Sequence, residues 1–297
     1  MDNKFPLVSV GIPVYNGENH LREALESLLA QTYQNFEILT SDNCSSDGTQ
    51  TISEEFTARN SRVRYVSHSE NRGASASYNY LVHHTTGKYF KWAGHDDLCR
   101  SDFLRKCIDQ LERDISVCLA ATKTTIIDQN SLEILKLDRE FSASSDILSV
   151  RVKDYSRFYE SDREANQVFG VYRRSSLLKT SLIANYPASD LLLLGQIAML
   201  GKVMLIDSPI FYRRDHDNTS LRANSTPSKV AQWFDTSKTK NNRPLHYFSR
   251  LRDLLVFLPK APGTLKEKLD ALSSIARWVW RKKRLFLNQL KAYVIRF

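Results

Sequence analysis

The feature that most constrains this chain is an alternation running through its first hundred residues. Short runs rich in β-branched and aromatic residues, LVSVGI (7–12), FEILTS (36–41), VRYVS (63–67) and YFKWA (89–93), are bounded by turn-forming residues and read as strands. Between them lie segments of helical period at about 19–31, 48–59 and 74–84, and in the first of these Leu21, Leu25, Leu28 and Leu29 recur on one face. Strands alternating with helices of this length predict an α/β fold, with a mostly parallel sheet covered by helices on both sides. In such a sheet the right-handed crossovers bring the carboxyl ends of the strands to one edge, and ligands gather there.

Those ends are polar: PVYNGEN, SDNCSSDGT, HSENRGASASYN and GHDD follow the four strands in turn. Each alone is an ordinary loop, but four on one edge make a candidate site. Asp42, at the tip of the second strand, suits hydrogen bonds from ribose hydroxyls or a base. The first loop has one glycine and no G-x-G-x-x-G, so a dinucleotide-dependent hydride transfer loses its best support. Further on, a helix (DFLRKCIDQLERD) and a strand (SVCLAAT, 116–122) continue the pattern, and DQNS at 128–131 reads as a turn between two strand-like runs. Residues 138–165 are polar and weakly periodic and receive no element. The stretch YPASDLLLLGQIAMLGKVMLIDSPIFYRRDHDNTS reads as helix, strand, short strand and loop.

The 297 residues suffice for one large domain or two small ones. The formal net charge of +9 is concentrated at the end, where residues 265–297 hold nine Lys or Arg against Glu267 and Asp270. The rest of the chain is close to neutral, which argues against a nucleic-acid partner. Cys44, Cys99, Cys107 and Cys118 have neither metal-ligand nor disulfide-scaffold spacing, so free thiols in a reducing compartment are expected. The N-terminal MDNKFPLVSV lacks a signal-peptide pattern and no run approaches 18 apolar residues, so the expected location is cytoplasmic, extending to the inner face of a membrane.

The block VSVGIPVYNGENHLREALESLLAQTYQNFEILTSDNCSSDGT, followed by ENRGASASYN and GKYFKWAGHDDLCRSDFL, resembles the family 2 glycosyltransferases of GT-A fold, densely over the first hundred residues and more thinly to about residue 220. The resemblance implies a Rossmann-like central sheet, with a catalytic domain over 1–222 and a helical extension over 223–297. Within the domain, 1–100 would bind the donor and 101–222 the acceptor. It implies an inverting, hexosyltransferase-type enzyme that moves a sugar from a UDP-, GDP- or TDP-sugar to a hydroxyl of a glycan or lipid-linked saccharide, as in cell-surface polysaccharide synthesis.

By the same resemblance Pro13, Tyr15, Asn16, Asp42 and Asn43 hold the nucleotide, while Asn71, Arg72 and Asn79 contact the donor, Asn79 alternatively satisfying backbone groups. Asp47 serves mainly as a helix cap. Asp96 faces a metal, Mn2+ or Mg2+, whose hard-oxygen preference matches carboxylate and diphosphate, and Asp97 orients the loop or the sugar. The family commonly has Asp-x-Asp-Asp where this chain has Gly94-His95-Asp96-Asp97, so the first carboxylate is missing. His95 is an extra ligand, a sugar contact or a plain loop residue. His216 is a metal ligand supplied from a later loop, or a loop residue. Asp190, in SDLLLLGQIAML, is the general base or a helix cap, and the helix N-terminus favours its ionised form. Arg213 and Arg214 neutralise the diphosphate or bind an anionic acceptor.

In the C-terminal segment Leu269, Leu272, Ala276, Val279, Phe286, Leu290 and Val294 fall near one helical face, with Lys and Arg around them and Trp278 and Trp280 near the middle. Such a helix suits peripheral contact with an anionic membrane, or packing against the catalytic body. Two other functions compete: a sugar nucleotidyltransferase, which would want a glycine-rich phosphate loop, and a non-catalytic sugar-nucleotide or glycan binder, which the missing carboxylate favours.

Overall fold

A computed structural model describes residues 8–160, 164–217, 219, 226–237 and 245–294. Among these, the strands β1 (Val8–Val14), β2 (Phe36–Asp42), β3 (Val63–Ser67), β4 (Tyr89–Trp92), β5 (Leu98–Cys99), β6 (Val117–Ile127), β7 (Glu133–Lys136), β8 (Val171–Arg173) and β9 (Lys202–Arg214) form one sheet. Their order is β3-β2-β1-β4-β8-β6-β9-β5, with β7 paired to β6. β1, β2, β3 and β4 are parallel. β8 runs against both β4 and β6, and β9 is parallel to β6. It follows that β1, β2, β3, β4, β6 and β9 all point one way and end on one edge, while β5, β7 and β8 oppose them.

The helices are α1 (Leu21–Leu29), α2 (Thr49–Arg59), α3 (Ala74–His83), α4 (Phe103–Arg113), α5 (Leu148–Phe158), α6 (Arg174–Leu177), α7 (Ser189–Leu200), α8 (Pro227–Phe234), α9 (His246–Phe257), α10 (Leu265–Arg281) and α11 (Lys283–Val294). They divide between the two faces of the sheet. Leu21, Leu25 and Leu28 of α1, Phe56 of α2 and Leu104 and Ile108 of α4 bury against Val8, Val10 and Ile12 of β1. On the opposite face Leu81 of α3, Val152 of α5, Leu193 and Ile197 of α7, Leu254 of α9 and Ile275 of α10 pack with Phe90 and Trp92 of β4. Each fully buried leucine or isoleucine contributes about 2 kcal/mol of apolar transfer free energy, so both layers are needed to hold the edge in place. β1 is buried along its whole length, as a central parallel strand should be.

The first four strands and three helices fall where periodicity places them, within two residues at each end. Two later readings change. The stretch read as a strand plus a short strand is the single 13-residue β9, whose register against β6 slips around Thr122, Lys123 and Thr124. The slip re-aims the strand's second half toward β5 and delivers Arg213 and Arg214 to the polar edge. Residues 138–165, left unassigned above, contain α5.

The C-terminal segment is helical and packed. α10 starts from a capping box between Thr264 and Glu267 and lays Ala271, Ser274, Ile275 and Trp278 inward, against α5. It ends at Lys282, so α10 and α11 are two helices, and Phe286 turns inward onto Trp278 rather than joining the Leu269 face. Leu265, Leu269, Leu272 and Trp280 remain exposed. Val294 lies where side chains are not described. Among the described residues no helix is long and apolar enough to cross a membrane, and the cysteines are free thiols, with Cys44 exposed and Cys99, Cys107 and Cys118 buried.

Candidate active site

The polar edge opens into a cleft of about 1260 Å³. Pro13 borders it from the end of β1, Tyr15 and Asn16 from the loop after β1, Asn43 from the loop after β2, and Asn71 from the loop after β3. Asn16 has a left-handed backbone (φ 52) and its side-chain oxygen accepts the Ser46 N–H at 2.9 Å, while its own N–H donates to Ser45 Oγ at 2.8 Å. Asn43 donates to Asn71 Oδ1 at 2.9 Å and accepts the Arg72 N–H at 2.9 Å. These bonds tie three separate loops into one wall, which fixes the amides before any ligand arrives. Gly17, the one glycine in its loop, is required sterically: a Cβ there would stand 2.8 Å from the His95 ring and 2.5 Å from Val14.

Three residues expected around the donor do not border the cleft. Asp42 is buried with its carboxylate accepting the Tyr65 hydroxyl at 2.8 Å and the Ser45 N–H at 2.9 Å. Burial and this bond push the Tyr65 phenol up to about 12. Asn79 clamps the backbone of Ile183 from both sides, donating to its carbonyl and accepting its N–H. Arg72 is exposed, outside the cleft. Asp47 accepts the Thr49 N–H and hydroxyl at the start of α2 and the Glu18 N–H from the first loop, the helix-starting part expected of it.

The centre of the cleft is Gly94-His95-Asp96-Asp97, after β4. Asp96 Oδ2 lies 3.0 Å from Nε2 of His216, which comes from the loop after β9. Burial alone would raise the Asp96 carboxyl, but His95 and His216 outweigh it and hold it well below the usual range. Asp97 shows the reverse, because burial and the neighbouring Asp96 charge raise it. One of its oxygens accepts the Arg214 backbone N–H at 3.0 Å, so it pins the loop to β9. A Cβ on Gly94 would fall 2.5 Å from Asp97 Oδ2 and 2.8 Å from Asp96 Oδ1. The two carboxylates thus fold back over the position where the family pattern has its first acid.

Arg213 borders the cleft, paired with Glu164 and reaching Asn166. Arg214 is spent on architecture. Its Nε donates to the Asp96 carbonyl, Nη1 to Asp128 O, Gln129 O and Ser131 Oγ, and Nη2 to Glu23 of α1. Although it borders the cleft, each of its guanidinium nitrogens already donates to protein, which leaves at most one N–H of Nη2 for a ligand.

Across the cleft, α7 begins after Ala188, a non-glycine residue in left-handed geometry (φ 61), a strained turn of the kind found at functional sites. Asp190 borders the cleft in the first turn and accepts the Leu191 N–H at 2.9 Å. Burial raises its carboxyl, more than that N–H and the Arg250 charge lower it. The helix N-terminus therefore does not dominate as the sequence suggested. The outcome still serves proton transfer, because a carboxylate of raised proton affinity is a stronger base. Tyr159, Trp233, His246, Tyr247 and Arg250 also line this side. Sequence reading missed them; the single signal was the spacing of 246, 247 and 250, which places them on one helical face.

Residues 9–180 match the family model described as Glycosyl transferase family 2. A protein of Rickettsia typhi described as an uncharacterized glycosyltransferase is 38% identical over 140 residues, 46% of this chain and 43% of that protein. The match thus spans less than half of that relative's length. Among solved structures, residues 1–349 of Staphylococcus aureus TarS in complex with UDP-GlcNAc superpose with a TM-score of 0.67 at 19% identity, over 93% of this chain and 72% of that one. The mannosyltransferase PcManGT of Pyrobaculum calidifontis, in complex with GDP-Man and Mn2+, superposes with a TM-score of 0.54 at 19% identity, over 99% and 86%.

Proposed function

The chain belongs to glycosyl transferase family 2 and has the GT-A fold, and from that premise we propose that it transfers a sugar from a nucleoside diphosphate sugar to a hydroxyl of a glycan or lipid-linked saccharide. The reaction is a single displacement that inverts the anomeric centre, in the synthesis of a cell-surface polysaccharide. The observation that carries this is the meeting of Asp96, His216 and Asp190 in one cleft.

Pro13, Tyr15, Asn16, Asn43, Asn71 and His95 form the donor wall, and residues 1–100 form the donor half. Asp42 acts from behind it, holding Ser45, whose hydroxyl accepts the Asn16 N–H. Arg213 offers its charge to the diphosphate. Asp190 takes the proton of the acceptor hydroxyl as oxygen attacks, and the acceptor lies over 101–222 with the face of α9.

The residues present fit a divalent cation shared with substrate. Asp96 and His216 are adjacent and both reach the cleft, whereas no group of three or more His, Cys, Asp or Glu suited to a metal exists among the described residues. Asp96 and His216 would hold Mn2+ or Mg2+, leaving other positions to phosphate oxygens and water. When bound, the cation stabilises charge on the departing nucleoside diphosphate.

The exposed Leu265, Leu269, Leu272 and Trp280, set among Lys266, Lys268 and Arg281, suit peripheral contact with an anionic membrane, which would bring the cleft to a lipid-linked acceptor.

The test is release of nucleoside diphosphate from UDP-, GDP- and TDP-sugars, before and after chelation. One donor class is expected to turn over, with activity lost to EDTA and restored by Mn2+ or Mg2+. Donor binding without release from any of them would make the chain a sugar-nucleotide binder, and formation of a nucleotide sugar from nucleoside triphosphate and sugar phosphate would make it a nucleotidyltransferase.

A further inference from the structure

The acceptor side of the cleft holds a cation that the reaction above does not use. Arg250 is 4% exposed yet borders the cleft. Its guanidinium lies over the rings of Trp278, at 4.8 Å, and Tyr247, at 5.4 Å. Among the described residues it makes no ion pair, and its Nε has no hydrogen-bond partner. The contrast with Arg214, each guanidinium nitrogen of which donates to protein, is direct.

Buried polar groups are normally hydrogen-bonded, and a buried cation is costly unless an anion or strong acceptors face it. The aromatic rings beneath Arg250 fix its plane and offset part of that cost, but they supply no hydrogen-bond acceptor for its edge. What would pair this guanidinium is a group with acceptor oxygens and negative charge, brought by the ligand.

We propose that the acceptor is anionic, and that a phosphate or carboxylate on it is received by the guanidinium of Arg250, while a neighbouring hydroxyl of the acceptor faces Asp190. This rests on the glycosyltransferase reading and adds the charge class of the acceptor. α9 packs against α7, whose first turn carries Asp190, so the anion site and the proton acceptor are set by one helix pair. An oxyanion here also distinguishes an acceptor repeat from a neutral glycan of equal size, because a neutral chain would leave Arg250 unpaired.

The test is equilibrium binding, at about physiological salt, of three labelled oligomers of similar length to the full chain loaded with nucleoside diphosphate. They are an oligogalacturonate carrying carboxylates, a glycerol-phosphate oligomer carrying phosphodiesters, and a neutral maltooligosaccharide. At least one anionic oligomer is expected to bind ten-fold or more tightly than the neutral one, and which one identifies the oxyanion. Arg250→Gln should abolish that preference and Arg250→Lys should keep part of it, with melting curves confirming that both fold. Arg113→Gln, which removes an exposed cation at the end of α4, away from the cleft, should leave the preference intact. The proposal is overturned if neither anionic oligomer binds better than the neutral one, if Arg250→Gln retains the preference, or if Arg113→Gln loses it equally. Donor hydrolysis by the wild-type chain, measured without acceptor, separates the two failures: hydrolysis without charge preference removes only the acceptor assignment, whereas no hydrolysis of any donor removes the activity beneath it.

Discussion

Arg214→Ala is the perturbation whose size follows most directly from the structure. The side chain is fully buried and donates to Asp96 O at 2.8 Å, Asp128 O and Gln129 O at 3.1 Å, Ser131 Oγ at 2.9 Å and Glu23 Oε2 at 2.6 Å. These tie α1, the Asp96 loop and the turn at 128–131 to the end of β9, and Glu23 lies 191 residues from Arg214 in sequence. A neutral hydrogen bond contributes about 1 kcal/mol net, and a buried acceptor left bare costs somewhat more. The Glu23 pair is discounted because Glu23 is half exposed. The sum for Arg214→Ala is about 4 kcal/mol, or roughly a 10 °C fall in melting temperature for a chain of this size. Arg214→Lys keeps the charge but lacks the planar fork, so it should fall between. Differential scanning calorimetry reads both, and donor affinity should weaken in the same order because the Asp96 loop loses its anchor. An alanine variant melting within about 2 °C of wild type would refute the assignment of Arg214 as the tie between these loops.

Two further outcomes follow from the same structure. Burial, with the Arg72 charge, holds His68 below the ordinary imidazole value of 6.5, so it stays neutral in the fold while the unfolded chain protonates. The unfolded state then binds more protons below that value, stability falls as pH drops through it, and the loss of melting temperature between pH 7.5 and pH 5 should be smaller in His68→Gln; an equal loss would exclude His68 as a source. Deleting 265–297 would strip Ala271, Ile275 and Trp278 from the core, so membrane contact is better tested by Leu269→Gln with Trp280→Gln, exposed positions where sedimentation with anionic liposomes should drop without a change in melting temperature, and unchanged sedimentation would contradict the contact.

What the sequence revealed and what it hid divide along a physical line. Strands and helices whose pattern is set within a dozen residues, from β1 to β4, were legible because burial on a layered sheet imposes a local period. The single edge on which Asn16, Asn43, Asn71 and Asp96 meet was legible too, because crossover handedness leaves few alternatives. The choice of partner by a polar side chain was not. Asp42 selects Tyr65 and Ser45, Asn79 selects Ile183, and Arg214 selects Glu23 and three carbonyls, and none of these pairings leaves a periodic trace. The missing acid at Gly94 could be seen in the sequence, but that the Asp96 and Asp97 carboxylates fold back over that position needed coordinates. Arg250 was invisible for the same cause: an arginine in a helical segment reads as solvated surface until its neighbours are known.

The central claim, that Asp190 removes the acceptor's proton in a cleft shared with Asp96, is tested most directly by Asp190→Asn. The change is nearly isosteric and removes a buried carboxyl whose proton affinity is raised, so the variant should melt at or above the wild-type temperature and bind donor as before. Its transfer rate should fall by about 10²- to 10⁴-fold, the usual contribution of general base catalysis. A variant that is folded, binds donor and still transfers sugar at the wild-type rate would contradict the account.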